Sequence, residues 1–145
     1  MSCHSRGFTL LEVLTVVIVL GVLAAIAIPS WQQHVLRTRR ANAKEVLIQL
    51  QIAQERFFGR HARYATSDEL TRAEPDGLGL PPAGDDAPYR LTLETAPDGL
   101  AFSATARANG AQAADAFCVA FSVDHVGMRT ATDAAGVDRS MDCWR

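Results

Sequence analysis

Phe8 to Ile28 reads FTLLEVLTVVIVLGVLAAIAI, 21 residues carrying a single charge, Glu12. At about 1.5 Å of rise per residue, a helix of that length reaches roughly 30 Å, the thickness of a bilayer's hydrocarbon core. The core helix of a small soluble domain keeps a polar face, and this stretch has none. One membrane-spanning helix is therefore expected, and the rest of the chain reads as what that helix carries.

On the N-terminal side stands MSCHSRG, a short polar leader. A secretory signal has a short apolar core with a small-residue cleavage site after it. Here the apolar run is too long for such a core. Ala24, Ala25 and Ala27 imitate an A-x-A site at its far end, but cleavage there would discard the anchor and release an ordinary secreted domain.

On the C-terminal side, Pro29 removes a backbone donor and predicts a kink, with Gly21 a second weak point. A simple bend is the plainer alternative. Helical spacing then resumes. Val35, Ala43, Val46, Leu47, Leu50, Ala53, Phe57 and Phe58 recur at threes and fours and form one apolar stripe. One helix from Phe8 to His61 follows, its second half amphipathic. Arg37, Arg40, Lys44 and Gln51 fall largely off the stripe, and the Arg37, Arg39, Arg40 cluster reads as a solvated or subunit-contacting face before a nucleic-acid or lipid-headgroup site.

From Ala62 to Pro88 the composition turns to Gly, Pro and Asp, as in a connecting loop. Asp85 and Asp86 invite a metal reading, but no ligand pattern surrounds them. Alternation begins next. Tyr89, Leu91 and Leu93 oppose Arg90, Thr92 and Glu94; Pro97-Asp98-Gly99 turns; Leu100, Phe102, Ala104 and Ala106 alternate in their turn. Phe117, Val119, Phe121 and Val123 repeat the pattern, and Asp124 to Gly127 turns into a short last strand. Three or four consecutive antiparallel strands are expected. One apolar sheet face against one apolar helix stripe makes an α+β domain, a long helix packed on a meander.

Charge is uneven. From Pro29 to Arg72 eight basic residues stand against four acidic, and from Ala73 to Arg145 five against eleven. Such halves suit a polar contact between subunits. Of the three cysteines, Cys3 lies in the leader. If residues 1–7 are removed, Cys118 and Cys143 remain as an even pair, which in a non-cytosolic domain reads as one disulfide; two unrelated buried thiols are the alternative. His4, His34, His61 and His125 are scattered, and no zincin, nucleophile-elbow or phosphate-loop motif occurs. No catalytic residue, metal or cofactor is expected.

Arg6 to Leu14, RGFTLLEVL, resembles the cleavage motif of class III signal peptides, shared by type IV pilins and the pseudopilins of type II secretion. The resemblance implies that a prepilin peptidase cuts between Gly7 and Phe8 on the cytoplasmic side and methylates the new amine of Phe8. It also implies a role for Glu12. A carboxylate at mid-helix in a bilayer costs at least about 2.5–3.5 kcal/mol. In the family it pairs with the Phe8 amine of the neighbouring subunit, and such a desolvated pair can set axial register. The bland alternative is a tolerated charge near a helix end. Gly21 to Pro29 matches the stretch that loses helical order in assembled filaments of the family.

Positive-inside counting of Arg6 against Arg37, Arg39, Arg40 and Lys44 would place the C-terminal domain inside the cell. The motif implies the reverse, and the cysteine pair agrees with it. The stretches PSWQQHVLRTRRANAKEVL and QERFFGRHARYA, with Cys118 and Cys143-Trp144, make the chain similar to PilE-like minor pilins of Gram-negative bacteria. That resemblance divides the chain into a cleaved leader (1–7), a transmembrane and assembly helix (8–28) and a periplasmic pilin domain (29–145). It implies an inner-membrane protein that moves into an extracellular pilus and supports twitching motility, adhesion or DNA uptake. As a minor pilin it would prime assembly or sit at the tip. Its partners would be other pilins, the prepilin peptidase, the inner-membrane assembly platform and, at a tip, an adhesin. The alternatives are a major shaft pilin, a type II secretion pseudopilin and a DNA-binding competence pilin. The acidic sheet half weighs against nucleic acid without excluding it.

Overall fold

The computed structural model describes residues 9–81, 84 and 86–145, with the backbone alone at 29 and 30. Gly7, Phe8 and Asp85 lie outside the described residues. By internal contacts the chain forms two units, Met1–Val35 and Leu36–Arg145. The helix α1 (Leu10–His61) contributes to both and spans Gly21 and Pro29.

In the first unit every described side chain from Thr9 to Ile28 is exposed. In the second, Ala43, Leu47, Leu50, Ala53 and Phe57 are buried, as helical spacing predicts. Gln54 lies among them, fully buried. Its amide donates to the carbonyl of Ala65 (3.0 Å) and accepts from the Ala65 N–H (2.8 Å), which fixes the chain as it leaves the helix. The helix ends at Ala62, whose φ of 54° is the left-handed conformation common just past a helix C-terminus. Its N–H closes on the Phe58 carbonyl at 2.8 Å.

The connection to the sheet contains a short 3-10 turn, Ser67–Glu69. Four strands follow: β1 (Tyr89–Thr95), β2 (Phe102–Ala108), β3 (Ala120–Asp124) and β4 (Arg129–Thr132). They pair antiparallel in sequence order, a meander of four. Leu93, Phe102, Ala104, Ala106, Phe121 and Val123 face the helix stripe and join it in one core. The expected α+β architecture is therefore the observed one.

Five expected positions move, one of them Val119, which precedes β3 and is only half-buried. Val46 belongs to the helix stripe by spacing but is 40% exposed, because it lies on a flank of α1 that the sheet leaves open. Leu100 sits in the β1–β2 turn, and Phe117 precedes β3; both side chains are exposed. Cys118 was expected within the third strand but lies just before it, fully buried. Alternation cannot tell a strand from the extended approach to one.

After β4 the chain turns back along it. Thr132 bridges Asp138, the Arg139 N–H donates to the Ala131 carbonyl (2.8 Å), and the Ala131 N–H donates to Ser140 Oγ (2.9 Å). A single helical turn, α2 (Ser140–Cys143), closes the domain. Cys118 and Cys143 form a disulfide with their Cα atoms 6.0 Å apart, so the expected pairing is observed.

Candidate functional site

Chemistry-bearing residues collect in three places: the start of α1, the clamp between α1 and the C-terminal segment, and the outer face of the sheet. At the start of α1, Thr9 caps the helix. Its Oγ1 accepts from the Glu12 N–H (3.3 Å) and its carbonyl from Val13 N–H (3.2 Å), while Thr15 Oγ1 donates to the Glu12 carbonyl (2.8 Å). Glu12 is exposed in the first turn, at the positive end of the helix dipole, which offsets part of a carboxylate's cost in an apolar setting. The described apolar side chains behind it, through Ile28, are exposed. A surface of that extent requires lipid or other helices.

The basic cluster of α1 is divided in its use. Arg40 turns inward and forks onto Asp115, whose side chain is only 2% exposed. That contact raises Arg40 further above its ordinary value. Gln112 donates to the same carboxylate (3.2 Å) and to the hydroxyl of Tyr89 (3.2 Å), which itself donates to the Cys118 carbonyl (3.1 Å). Burial pushes the Tyr89 phenol up to about 12. Lys44 donates to the carbonyls of Cys143 (3.1 Å) and Arg145 (3.0 Å). Arg40, expected on a solvated or subunit-contacting face, and Lys44, expected only to lie off the apolar stripe, are thus structural. Nothing local in the sequence signals this, because the partners lie 75 and 99 residues on.

The outer face of the sheet is built by the strand register. Arg90 stands directly opposite Arg107. The next row runs Thr92, Thr105, Ser122, Thr130, and the one after it Glu94, Ser103, Asp124. Thr105 and Ser122 join hydroxyl to hydroxyl at 2.9 Å. Like charges directly opposite in a sheet are destabilising. Other arginines are neutralised, Arg60 by Glu74, Arg63 by Glu69 and Arg139 by Asp133. Among the described residues neither Arg90 nor Arg107 enters an ion pair. Period-two alternation already put Arg90 on the polar face, but pairing it with Arg107 needs the register, which the turn sets.

The model of the family described as "Type IV minor pilin ComP, DNA uptake sequence receptor" matches residues 29–122, and that of the "Prokaryotic N-terminal methylation motif" matches residues 3–28. Type IV major pilin protein PilA of Myxococcus xanthus is 44% identical over 62 residues, 43% of this chain and 28% of PilA. Type II secretion system core protein G of Klebsiella pneumoniae is 30% identical over 88 residues, 56% of this chain and 63% of that protein. A fimbrial protein of Pseudomonas aeruginosa is 44% identical over 50 residues, 34% of this chain and 32% of its own length. The chain therefore spans less than two thirds of each of these relatives. A solved type IV pilin from Shewanella oneidensis aligns with a TM-score of 0.49 at 25% identity, covering 65% of this chain and 89% of that one.

Proposed function

The chain belongs to the type IV pilin family, and from that premise we propose that it is a minor pilin, a structural rather than catalytic subunit. The minor role is supported by the match of residues 29–122 to a family described as a minor pilin, and the filament role by the first unit itself. A capped, wholly exposed apolar helix carrying one carboxylate, Glu12, needs both a membrane and like helices to pack against. In this reading a prepilin peptidase removes residues 1–7 between Gly7 and Phe8 and methylates Phe8. The segment 8–28 holds the chain in the inner membrane with 29–145 in the periplasm. Glu12 then pairs with the Phe8 amine of an adjoining subunit as the assembly platform draws it into the extracellular filament. Gly21 and Pro29 are where the helix yields during that transfer. Mass spectrometry of sheared filaments tests the reading: a chain beginning at methylated Phe8, much scarcer than the principal subunit, is expected. An abundance equal to the shaft subunit would make it a major pilin.

A second role, DNA capture, is favoured by the Arg90–Arg107 pair, which lies within the stretch matched by the family of that description. Two adjacent guanidiniums beside a row of hydroxyls suit phosphate contacts, positioning without base readout. Fluorescence anisotropy of the detergent-solubilised chain with duplex DNA tests this. Arg90→Gln with Arg107→Gln should weaken binding and lower the salt slope by roughly two units; unchanged binding would remove the sheet face from any such role.

A further inference from the structure

The outermost strand, β1, has an edge that the chain leaves unpaired. In an antiparallel ladder, residues bonded to the partner strand alternate with residues whose N–H and C=O point away from it. The Ala96 N–H donates to the Ala101 carbonyl at 2.9 Å, which makes that pair a bonded one and sets the phase. Counting back along the register, Glu94, Thr92 and Arg90 bond to β2, while Thr95, Leu93, Leu91 and Tyr89 turn their backbone groups outward. The far side of β2 agrees, since Phe102 and Ala108, opposite Thr95 and Tyr89, bond to His125 and Val119 instead. At Thr95 the helix-to-sheet connection crosses the edge, and Thr95 Oγ1 donates to the Ala65 carbonyl (2.8 Å). Among the described residues no hydrogen bond reaches the outward groups of Leu91 and Tyr89.

The same two residues line an open groove of about 280 Å³, with Val46 and Leu80 in its apolar walls and Arg39 at its margin. That volume falls below the roughly 300–1,000 Å³ of a pocket that encloses a small molecule. No carboxylate lines the groove among the described residues. Side chains alternate across a strand. A strand laid along this edge therefore places the residues facing Tyr89 and Leu91 on the helix side, in the groove. The residue facing Arg90 falls on the outer face, where Arg90 stands opposite Arg107. An acid there offsets the repulsion between the two arginines.

We propose that the β1 edge and the groove together receive an extended segment of another protein by strand addition, an apolar–acid–apolar run facing Tyr89, Arg90 and Leu91. The chain's own strands are committed: β2 and β3 are paired on both sides, and the returning tail lies along β4. An antiparallel addition gains about four backbone hydrogen bonds, two each at Tyr89 and Leu91. Those bonds supply affinity, and the groove and Arg90 supply selectivity. The pattern reads the same from either end, so it specifies composition without specifying direction. This recognition of a peptide lies beyond the filament role and does not rest on it.

The test uses the full chain in lipid nanodiscs with labelled peptides carrying Thr-Val-Glu-Val-Thr, Thr-Val-Lys-Val-Thr, and the first of these with both valine amides methylated. Fluorescence anisotropy should show the glutamate peptide binding about tenfold more tightly than the lysine peptide. Arg90→Glu should reverse that order, and Val46→Glu should abolish binding while the melting temperature is kept. Exchange of the Tyr89 and Leu91 amide hydrogens should slow on binding, and the methylated peptide should not bind. Binding indifferent to methylation, or binding that leaves those two amides exchanging as before, overturns strand addition. So does an absence of binding at millimolar peptide. A disulfide formed between two copies of Thr92→Cys through their β1 edges overturns the choice of occupant. Each of these results leaves the filament reading standing.

Discussion

Arg40 places both arms of its guanidinium on the carboxylate of Asp115, joining α1 to the connection between β2 and β3. Asp115 also accepts from the N–H groups of Phe117 (3.3 Å) and Cys118 (3.4 Å), so one ion pair positions the helix and one end of the disulfide together. Removing the arginine leaves a buried carboxylate unpaired. Arg40→Ala should cost about 3–5 kcal/mol in chemical denaturation. Arg40→Met with Asp115→Asn should recover part of that loss, and a single variant as stable as the parent would show the pair to be dispensable.

Acid should attack the exit from the helix. Arg63 donates twice to Glu69 (2.8 and 2.7 Å), and Thr66 adds its N–H at 2.9 Å. Chiefly through Arg63, the Glu69 carboxyl is held down to about 2 from an ordinary 4.5. A depressed carboxylate stabilises the fold above its unfolded value, and the contribution disappears as pH falls from 4.5 through about 2. Glu69→Gln should flatten the stability curve over that window, measured by denaturant midpoints at stepped pH. A variant whose acid limb follows the parent would assign acid lability to other groups.

The disulfide should be the sole state of the two cysteines after export. Peptide mapping without reductant should recover Cys118 linked to Cys143 and no free thiol from the processed chain. On the chain-entropy model, closing a loop of this length contributes about 3.5 kcal/mol. Reduction should lower the melting temperature without unfolding the domain at once, because Lys44 and the Trp144 indole, which donates to the Thr130 carbonyl at 2.8 Å, still hold the last residues.

Glu12→Val should insert in the membrane as well as the parent or better, since a costly carboxylate is gone. Its incorporation into filaments, measured by immunoblot of sheared material, should fall sharply. Normal incorporation would reduce Glu12 to a helix-end charge beside the Thr9 cap.

Much of the fold was legible in the sequence because periodicity reports burial directly. The Ala43 to Phe57 stripe and the alternations through Leu93, Phe102 and Phe121 placed helix, sheet and core face. Relations set by tertiary contact were not legible. Arg40 looked solvated because its partner is an isolated acid in a Gly- and Ala-rich loop, and Val46 looked buried because spacing cannot reveal which flank a sheet leaves bare. Arg90 and Arg107 were visible as polar positions, but only the register through the Ala96–Ala101 turn sets them opposite each other. The spacing that marks Cys118 as strand continues into an approach with the same extended backbone. Gly7 and Phe8, which motif resemblance singled out, lie outside the described residues.

The segment that folds back along β4 has a consequence beyond anchoring a tail. A four-stranded open sheet has two borders, and unpaired backbone groups on a border recruit strands from other molecules. Here the β4 border is occupied from within: Trp144 takes the Thr130 carbonyl, Ser140 and Arg139 take the two backbone groups of Ala131, and Asp138 bridges Thr132. The Cys118–Cys143 bond thus locks a guard in place. A chain that escapes oxidation while its tail is displaced carries an unguarded border, and its characteristic fate is strand-to-strand aggregation. Cys118→Ala with Cys143→Ala should consequently form thioflavin-positive aggregates under mild heating that leaves the oxidised chain dispersed.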